Sequence, residues 1–348
     1  MNVRIVSYEE VGAWILGKFA LKLCENLKLQ GVQADIGKTP DQSADINHHI
    51  IYLGYDEKKT TTETLMVTHV DTEWKLNMVR QQLHSAEMGI CMSSDTVRKL
   101  TRSGISRDRL CYVSPAHDGV IKPRKVTLGI TSKVQPSGCK RENMLKEIAD
   151  HISPADFDFI IMGTGWDEII SELRGKCIEV TYYDHFDYDL YCKLMPRLDY
   201  YVYFGQDEGS MGFLDAVAAG VPTIVTPQGF HLDVRGGITY AFNAVEDLAG
   251  ILAEIAEKKK RLTNAVSSWT WSEYARKHLL IWDYLLRKKN SITIPFQLSR
   301  DLKSLGVAEN RRLAKIQTVY YRGVRKARRG VGKVKRHVEN WLEPAHQR

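Results

Sequence analysis

No stretch of this chain reaches the roughly 18 apolar residues that a membrane-spanning helix needs. None of its cysteines has C-x-x-C spacing. Cys24, Cys91, Cys111, Cys139, Cys177 and Cys192 are scattered, which argues against a zinc site and reads as free core thiols in a reducing cytosol. The opening MNVRIVSYEE lacks the shape of a signal peptide and begins directly on a strand pattern. No internal repeat and no low-complexity segment is evident.

What is present suits a soluble α/β protein. At 348 residues and 43% hydrophobic content, one large domain or two medium ones are expected. The net charge of +7 is unevenly spread. Between residues 300 and 348 stand fourteen Lys/Arg and four Asp/Glu, so the rest of the chain carries a net −3. The basicity belongs to the tail, and a nucleic-acid surface over the whole protein is not needed to explain it.

Short apolar strands alternate with helical patterns. Strands are expected at Val3–Ser7, Val32–Ile36, His49–Leu53, Leu65–Thr68, Met88–Met92 and Leu110–Val113. Helices are expected at Ala13–Leu29, Glu73–Ser85 and Asp95–Ser103. Ser114–Arg124, with two prolines and a glycine, breaks the rhythm and marks a boundary. The pattern then restarts, with strands at Val126–Ile130, Phe157–Met162 and Ile178–Thr181. Helices follow at Arg141–His151, Asp167–Leu173, Tyr188–Leu198 and Glu246–Lys260. Such alternation implies parallel sheets covered on both faces. Trp269–Leu286 has helical spacing with aromatic and leucine residues on one face and reads as a core-packing helix.

The most informative stretch is 200–233, YYVYFGQDEGSMGFLDAVAAGVPTIVTPQGFHLD. It reads as a strand (200–204), an acidic glycine loop, a short helix (211–219) ended by Gly220, and a second strand (223–226). Gly209 and Ser210 let an anion approach the free N–H groups and the positive dipole end of that helix. Carboxylates beside a phosphate repel it, so Asp207, Glu208 and Asp215 need another partner. Ribose and hexose hydroxyls fit. Phosphate, ribose and sugar together describe a nucleotide sugar.

This stretch resembles the donor-site signature of GT-B glycosyltransferases of the family 4 type, E-G-x-G-(x)-(x)-x-L-E-A-x-A-x-G-x-P-V-I. The matching positions are Glu208-Gly209, Gly212, Leu214-Asp215-Ala216, Ala218, Gly220, Val221-Pro222 and Thr223-Ile224. Two departures stand out. The second acid is Asp215, and it lies one position too close to Glu208, whereas Asp207 keeps the family's spacing. Either Asp207 or Glu208 is the counterpart of the first acid. The resemblance implies an α/β GT-B fold, with two Rossmann-like doubly wound domains facing across a cleft. The boundaries are an acceptor domain at 1–120, a nucleotide-sugar domain at 121–268, a crossover helix at 269–290 and a basic amphipathic helical tail at 291–348.

The resemblance also implies roles. Lys133, and Lys140 or Arg141, match the cations that face the diphosphate and would stabilise it as it leaves. Gly163, Gly209, Ser210, Met211 and Gly212 would let the donor lie close to the backbone, and Asp215 would hold the ribose. Asp207 or Glu208 would contact the sugar. In the first domain, Gly12 sits in the turn that these enzymes keep near the diphosphate, and His69 could polarise a hydroxyl or bond the transferring sugar. Asp187-Tyr188-Asp189 has the letters of a metal-diphosphate clamp but reads as a helix start. No metal and no cofactor are expected, the nucleotide sugar being the substrate.

Leu313, Ile316, Tyr320, Val324, Ala327 and later apolar residues recur at steps of three and four among Lys and Arg. That is a basic amphipathic helix, suited to an anionic membrane surface through residues 300–348. The expected activity is transfer of a sugar, retaining and metal-independent, from a nucleotide diphosphate to a hydroxyl of a glycan or lipid-linked glycan in surface polysaccharide assembly. The expected place is cytoplasmic, at the inner membrane face, with no nucleic-acid partner. An epimerase or phosphorylase of the same architecture, and a non-catalytic membrane or nucleic-acid adaptor, stand as alternatives.

Overall fold

The computed structural model describes residues 1–57 and 60–307. Two compact units emerge. One holds Met1–Gly119 and the described residues from Ser268 onward, and the other holds Val120–Ser267.

The first unit begins with β1 (Asn2–Val6), α1 (Ile15–Leu29), β2 (Gln33–Gly37), β3 (Ile46–His49) and β4 (Glu63–Val67). It continues with α2 (Glu73–Gln82), β5 (Met88–Cys91), α3 (Ser94–Arg102) and β6 (Leu110–Tyr112). All six strands are parallel, in the order β2-β1-β3-β4-β5-β6. Local chemistry starts the helices: Thr72 accepts a hydrogen bond from Lys75 N before α2, and Ser93 accepts one from Thr96 N before α3.

The second unit contains β7 (Val126–Thr131), α4 (Met144–Ile148), β8 (Phe157–Met162), α5 (Asp167–Gly175), β9 (Glu179–Tyr183) and α6 (Tyr188–Leu194). It ends with β10 (Tyr200–Tyr203), α7 (Met211–Ala218), β11 (Thr223–Val225), β12 (Tyr240–Ala241) and α8 (Val245–Ala265). Its order is β12-β11-β10-β7-β8-β9, again all parallel. The chain runs outward from β7 through β8 and β9, then returns to β10 on the other side of β7. The reversal opens a crevice at the carboxyl ends of β7 and β10, where open α/β sheets bind ligands. The first unit reverses likewise between β1 and β3. Each unit by itself therefore has the doubly wound topology that the GT-B resemblance implies.

Both sheets are buried on both faces. In the first unit, Val3, Ile5, Phe19, Leu23 and Leu27 pack with Trp271, Ile281, Trp282 and Leu285 of α9 (Trp271–Lys289) on one side. Tyr52, Leu65, Val67, Val79 and Leu100 fill the other. In the second, Ile130, Phe159, Trp166 and Leu252 lie on one side and Tyr201, Tyr203 and Phe213 on the other. Among the described residues, no helix is long and apolar enough to cross a membrane.

Several expected elements move. The helix expected from Arg141 begins at Met144, because Pro136, Gly138 and a positive φ of 49° at Arg141 hold the preceding loop in turns. The strand expected at His49–Leu53 is β3, ending at His49. Its polar Asn47, His48 and His49 are all buried, so hydropathy hides it. Pro196 ends α6 early and gives one 3-10 turn at Met195–Arg197. The expected basic tail is corrected at its start. Residues Phe296–Ser304 form α10, whose Leu298 and Leu302, with Leu305 and Val307, enter the first unit's core. The basic amphipathic pattern from residue 308 onward lies outside the described residues.

Candidate functional site

The crevice between β7 and β10 holds a cavity of about 380 Å³. The ends of β7 and β8, the segment after β9 with α6, and the start of α7 build it. Thr131, Ser132 and Lys133 leave β7, and Met162, Gly163 and Thr164 leave β8. Phe186, Tyr188 and Tyr191 come from the segment after β9, and Ser210, Met211, Gly212 and Asp215 from the start of α7.

Two glycines make this geometry possible. Gly163 has φ +141°, and a Cβ there would sit 2.1 Å from the carbonyl oxygen of Ser132, so the β8 exit lies directly against the β7 exit. A Cβ on Gly212 would meet the Tyr201 hydroxyl at 2.4 Å and Thr131 Oγ1 at 2.5 Å, so the first turn of α7 rests on β7 and β10. Ser210 precedes α7 without capping it; its Oγ lies 2.7 Å from the Tyr201 hydroxyl. No side chain therefore caps the first-turn N–H groups of α7 at the cavity wall. Ser210 N–H donates to Nε2 of buried His231 at 2.9 Å. Burial pushes His231 below its ordinary value despite its bond to the Thr226 carbonyl, which favours the neutral ring that can accept this bond.

Asp215 lies four residues along α7 from Met211, about 6 Å by helical rise. It is exposed and accepts a 2.5 Å hydrogen bond from the Tyr191 hydroxyl. Burial, then Asp215, raises the Tyr191 phenol, so it stays a donor.

A second polar cluster stands at the carboxyl end of β10. Lys140 Nζ lies 2.5 Å from Asp207 Oδ2 and 2.5 Å from the Tyr203 hydroxyl, and Tyr203 donates to Asp207 at 2.8 Å. Gly209 N–H donates to Asp207 Oδ1 at 3.0 Å. Burial alone would raise the Asp207 carboxyl. The Lys140 ammonium, the Gly209 N–H and the Tyr203 hydroxyl outweigh it and hold the group below the ordinary range.

The sequence-predicted residues thus divide. Lys133, Gly163, Ser210, Met211, Gly212 and Asp215 come together around one cavity. Lys140, Asp207 and Gly209 come together in the neighbouring cluster. Arg141 joins neither: its guanidinium donates to the carbonyls of Phe204 at 2.7 Å and Asn243 at 2.8 Å, tying down the β10 exit. Glu208 is exposed, and its backbone carbonyl accepts Phe230 N–H. Gly12 and His69 belong to the first unit, Gly12 with φ +103° in the loop after β1 and His69 exposed just past β4. Asp187 serves as the N-cap of α6, accepting from Leu190 N at 2.9 Å.

Sequence reading passed over Tyr203, Tyr191, Phe186, Tyr188 and Thr131. The aromatic run YYDHFDYDLY, from the end of β9 into α6, is the signal that was available for three of them.

No protein-family model matches the chain, and no curated protein matches it in sequence. Solved structures do align with it. The lipopolysaccharide outer core galactosyltransferase WaaB in apo form is 13% identical, over 79% of this chain and 97% of its own, with a TM-score of 0.33. The Anabaena protein HepE in complex with UDP and glucose is 12% identical over 84% and 100%, with a TM-score of 0.32. A glycosyltransferase from Rickettsia africae is 13% identical over 82% and 98%, with a TM-score of 0.34.

Proposed function

We propose that the protein is a glycosyltransferase that moves a sugar from a nucleotide diphosphate to a hydroxyl of a glycan or lipid-linked glycan. The observation that carries this reading is the pairing within one cavity of the uncapped α7 N terminus with Asp215 one helical turn away. The helix terminus suits a phosphate, and the carboxylate suits the ribose hydroxyls. Lys133 adds a cation to the same wall. Phe186 and Tyr188, both exposed on the cavity rim, offer faces on which a base can stack.

Lys140 is the second cation of this reading, paired at rest with Asp207. Charge developing on the departing diphosphate competes for that ammonium, while Asp207, relieved of part of its pairing, accepts sugar hydroxyls. Asp207 takes this role in preference to Glu208 because it alone is wired to Lys140 and keeps the eight-residue spacing to Asp215. The reaction needs no metal in this reading and is retaining, as the family resemblance implies. The first unit takes the acceptor, with Gly12 and His69 in its strand-end loops. The setting is surface polysaccharide assembly at the cytoplasmic membrane face.

The experiment is a thermal-stability panel of nucleotides and nucleotide sugars, followed by product analysis with and without an added acceptor. Glycosyl transfer requires the acceptor, whereas an epimerase turns over without one. Complete loss of activity in chelator, restored by Mg²⁺ or Mn²⁺, would overturn metal independence. The basic segment beyond Val307 anchors the protein to anionic membrane in this reading. A chain ending at Val307 should no longer sediment with anionic liposomes, and undiminished sedimentation would refute the anchor.

A further inference from the structure

Asp215 is the one acid among the residues lining the second unit's cavity, and it is exposed. Its Oδ2 accepts the Tyr191 hydroxyl at 2.5 Å. Among the described residues no other hydrogen bond reaches this carboxylate, so Oδ1 is the oxygen left for a ligand. Tyr191 is itself firmly placed. Its backbone N–H bonds the Asp187 carbonyl at 2.8 Å in the first turn of α6, and its ring is buried with Met162, Met195, Leu198 and Tyr201. Phe186 packs on that ring, with centroids 5.2 Å apart.

The two groups are committed to each other for want of alternatives. The Tyr191 hydroxyl has no other partner among the described residues, and its packed ring cannot follow a carboxylate that turns away. If Asp215 swung both oxygens toward a ligand, the phenol would lose its only acceptor, which costs more than an ordinary hydrogen bond contributes. Burial and the carboxylate itself both raise the phenol, so it goes on donating at neutral pH. Asp215 is also one methylene shorter than the Glu of the donor-site signature and reaches less far. A carboxylate with both oxygens free accepts from two neighbouring hydroxyls. Asp215 has one oxygen free.

We infer that Asp215 reads a single hydroxyl of the donor's ribose, and that Tyr191 is the positioning residue that imposes this by holding the other carboxylate oxygen. The inference rests on the nucleotide-sugar reading above. It widens the substrate class, because a nucleotide lacking the unread hydroxyl fits the site as well as the complete ribonucleotide does. The 2′ and 3′ hydroxyls therefore count unequally. An acid that accepted from both would penalise the loss of either one.

The test is calorimetric titration of the full chain with UDP, GDP and ADP, then with the 2′-deoxy and 3′-deoxy forms of whichever binds. In the wild type one deoxy form should bind within about threefold of its parent, and the other about 10-fold or more weaker. Tyr191→Phe keeps the ring and its packing. It should unfold as cooperatively as the wild type and bind the parent nucleotide more weakly. Its affinities for the two deoxy forms should lie within about threefold of each other. Asp215→Ala, at an exposed position, should erase the difference as well, and adding Tyr191→Phe to it should weaken binding no further. Two deoxy forms that bind alike in the wild type would overturn the inference without recourse to any variant. So would a Tyr191→Phe protein that keeps the wild-type difference, and either result leaves the nucleotide site standing. A folded wild type that binds none of the three nucleotides would overturn both.

Discussion

Lys140 and Asp207 hold each other in a half-buried setting, with side-chain exposures of 20% and 26%. Replacing Asp207 by Asn leaves the ammonium with only neutral partners. At pH 7, Asp207→Asn should lower the unfolding free energy by about 1–2 kcal/mol, measured by urea denaturation. The folded carboxyl sits below its ordinary value of 3.8, so the wild-type advantage is complete above that pH. It is lost as pH falls through the depressed value, because the proton must then enter a site built for the anion. Wild type and Asp207→Asn should therefore converge in strong acid. His278 works in the opposite chemical sense with the same slope. Burial pushes it from 6.5 to about 4, its Nε2 has no partner, and its ring lies 5.0 Å from the equally buried His48. Between these values the unfolded chain binds the proton and the folded chain does not, so stability falls as pH drops. From pH 7 to pH 4 this one group should remove on the order of 3 kcal/mol, and His278→Leu should flatten the decline in urea denaturation across that range.

At the scale of elements, α10 shows how far the sequence speaks. Its apolar residues 298, 302 and 305 have helical spacing, but the basic composition after Pro295 masks the fact that they enter a core. Leu302 is fully buried, so Leu302→Ala should cost about 2–5 kcal/mol, seen as a lower urea midpoint. A chain cut at Pro295 should expose the same core and lose cooperative unfolding of the first unit. The strand–helix–strand stretch around α7 was legible because glycine, small residues and β-branched runs each have one local solution there. β3 was misplaced because buried Asn47, His48 and His49 are satisfied by tertiary partners that no hydropathy pattern records. The donor cavity was half legible for the same reason. Backbone-driven features such as Gly163 and Gly212 announce themselves, whereas Tyr191 and Tyr203 acquire their roles only when α6 and β10 carry them to Asp215 and Asp207. Arg141 looked like a second ligand because it follows Lys140, but a positive φ turns it toward backbone carbonyls.

For the whole molecule, two doubly wound units follow from the alternation of short apolar strands with helices, and their carboxyl-end crevices follow from where each strand order reverses. Only the second unit's crevice brings the predicted phosphate-binding helix start and ribose carboxylate together in one cavity. The central claim is that this cavity binds a nucleoside diphosphate. The most direct measurement is the melting temperature of the full chain with UDP, GDP and ADP, in wild type and Asp215→Ala. Ligand at about 100 times its Kd stabilises the folded state by about 2.7 kcal/mol. That should raise the melting temperature of a unit of this size by about 5 °C or more. The account predicts such a shift with one of the three nucleotides and a clearly smaller one in Asp215→Ala. No shift with any of them, or an undiminished shift in Asp215→Ala, would contradict it.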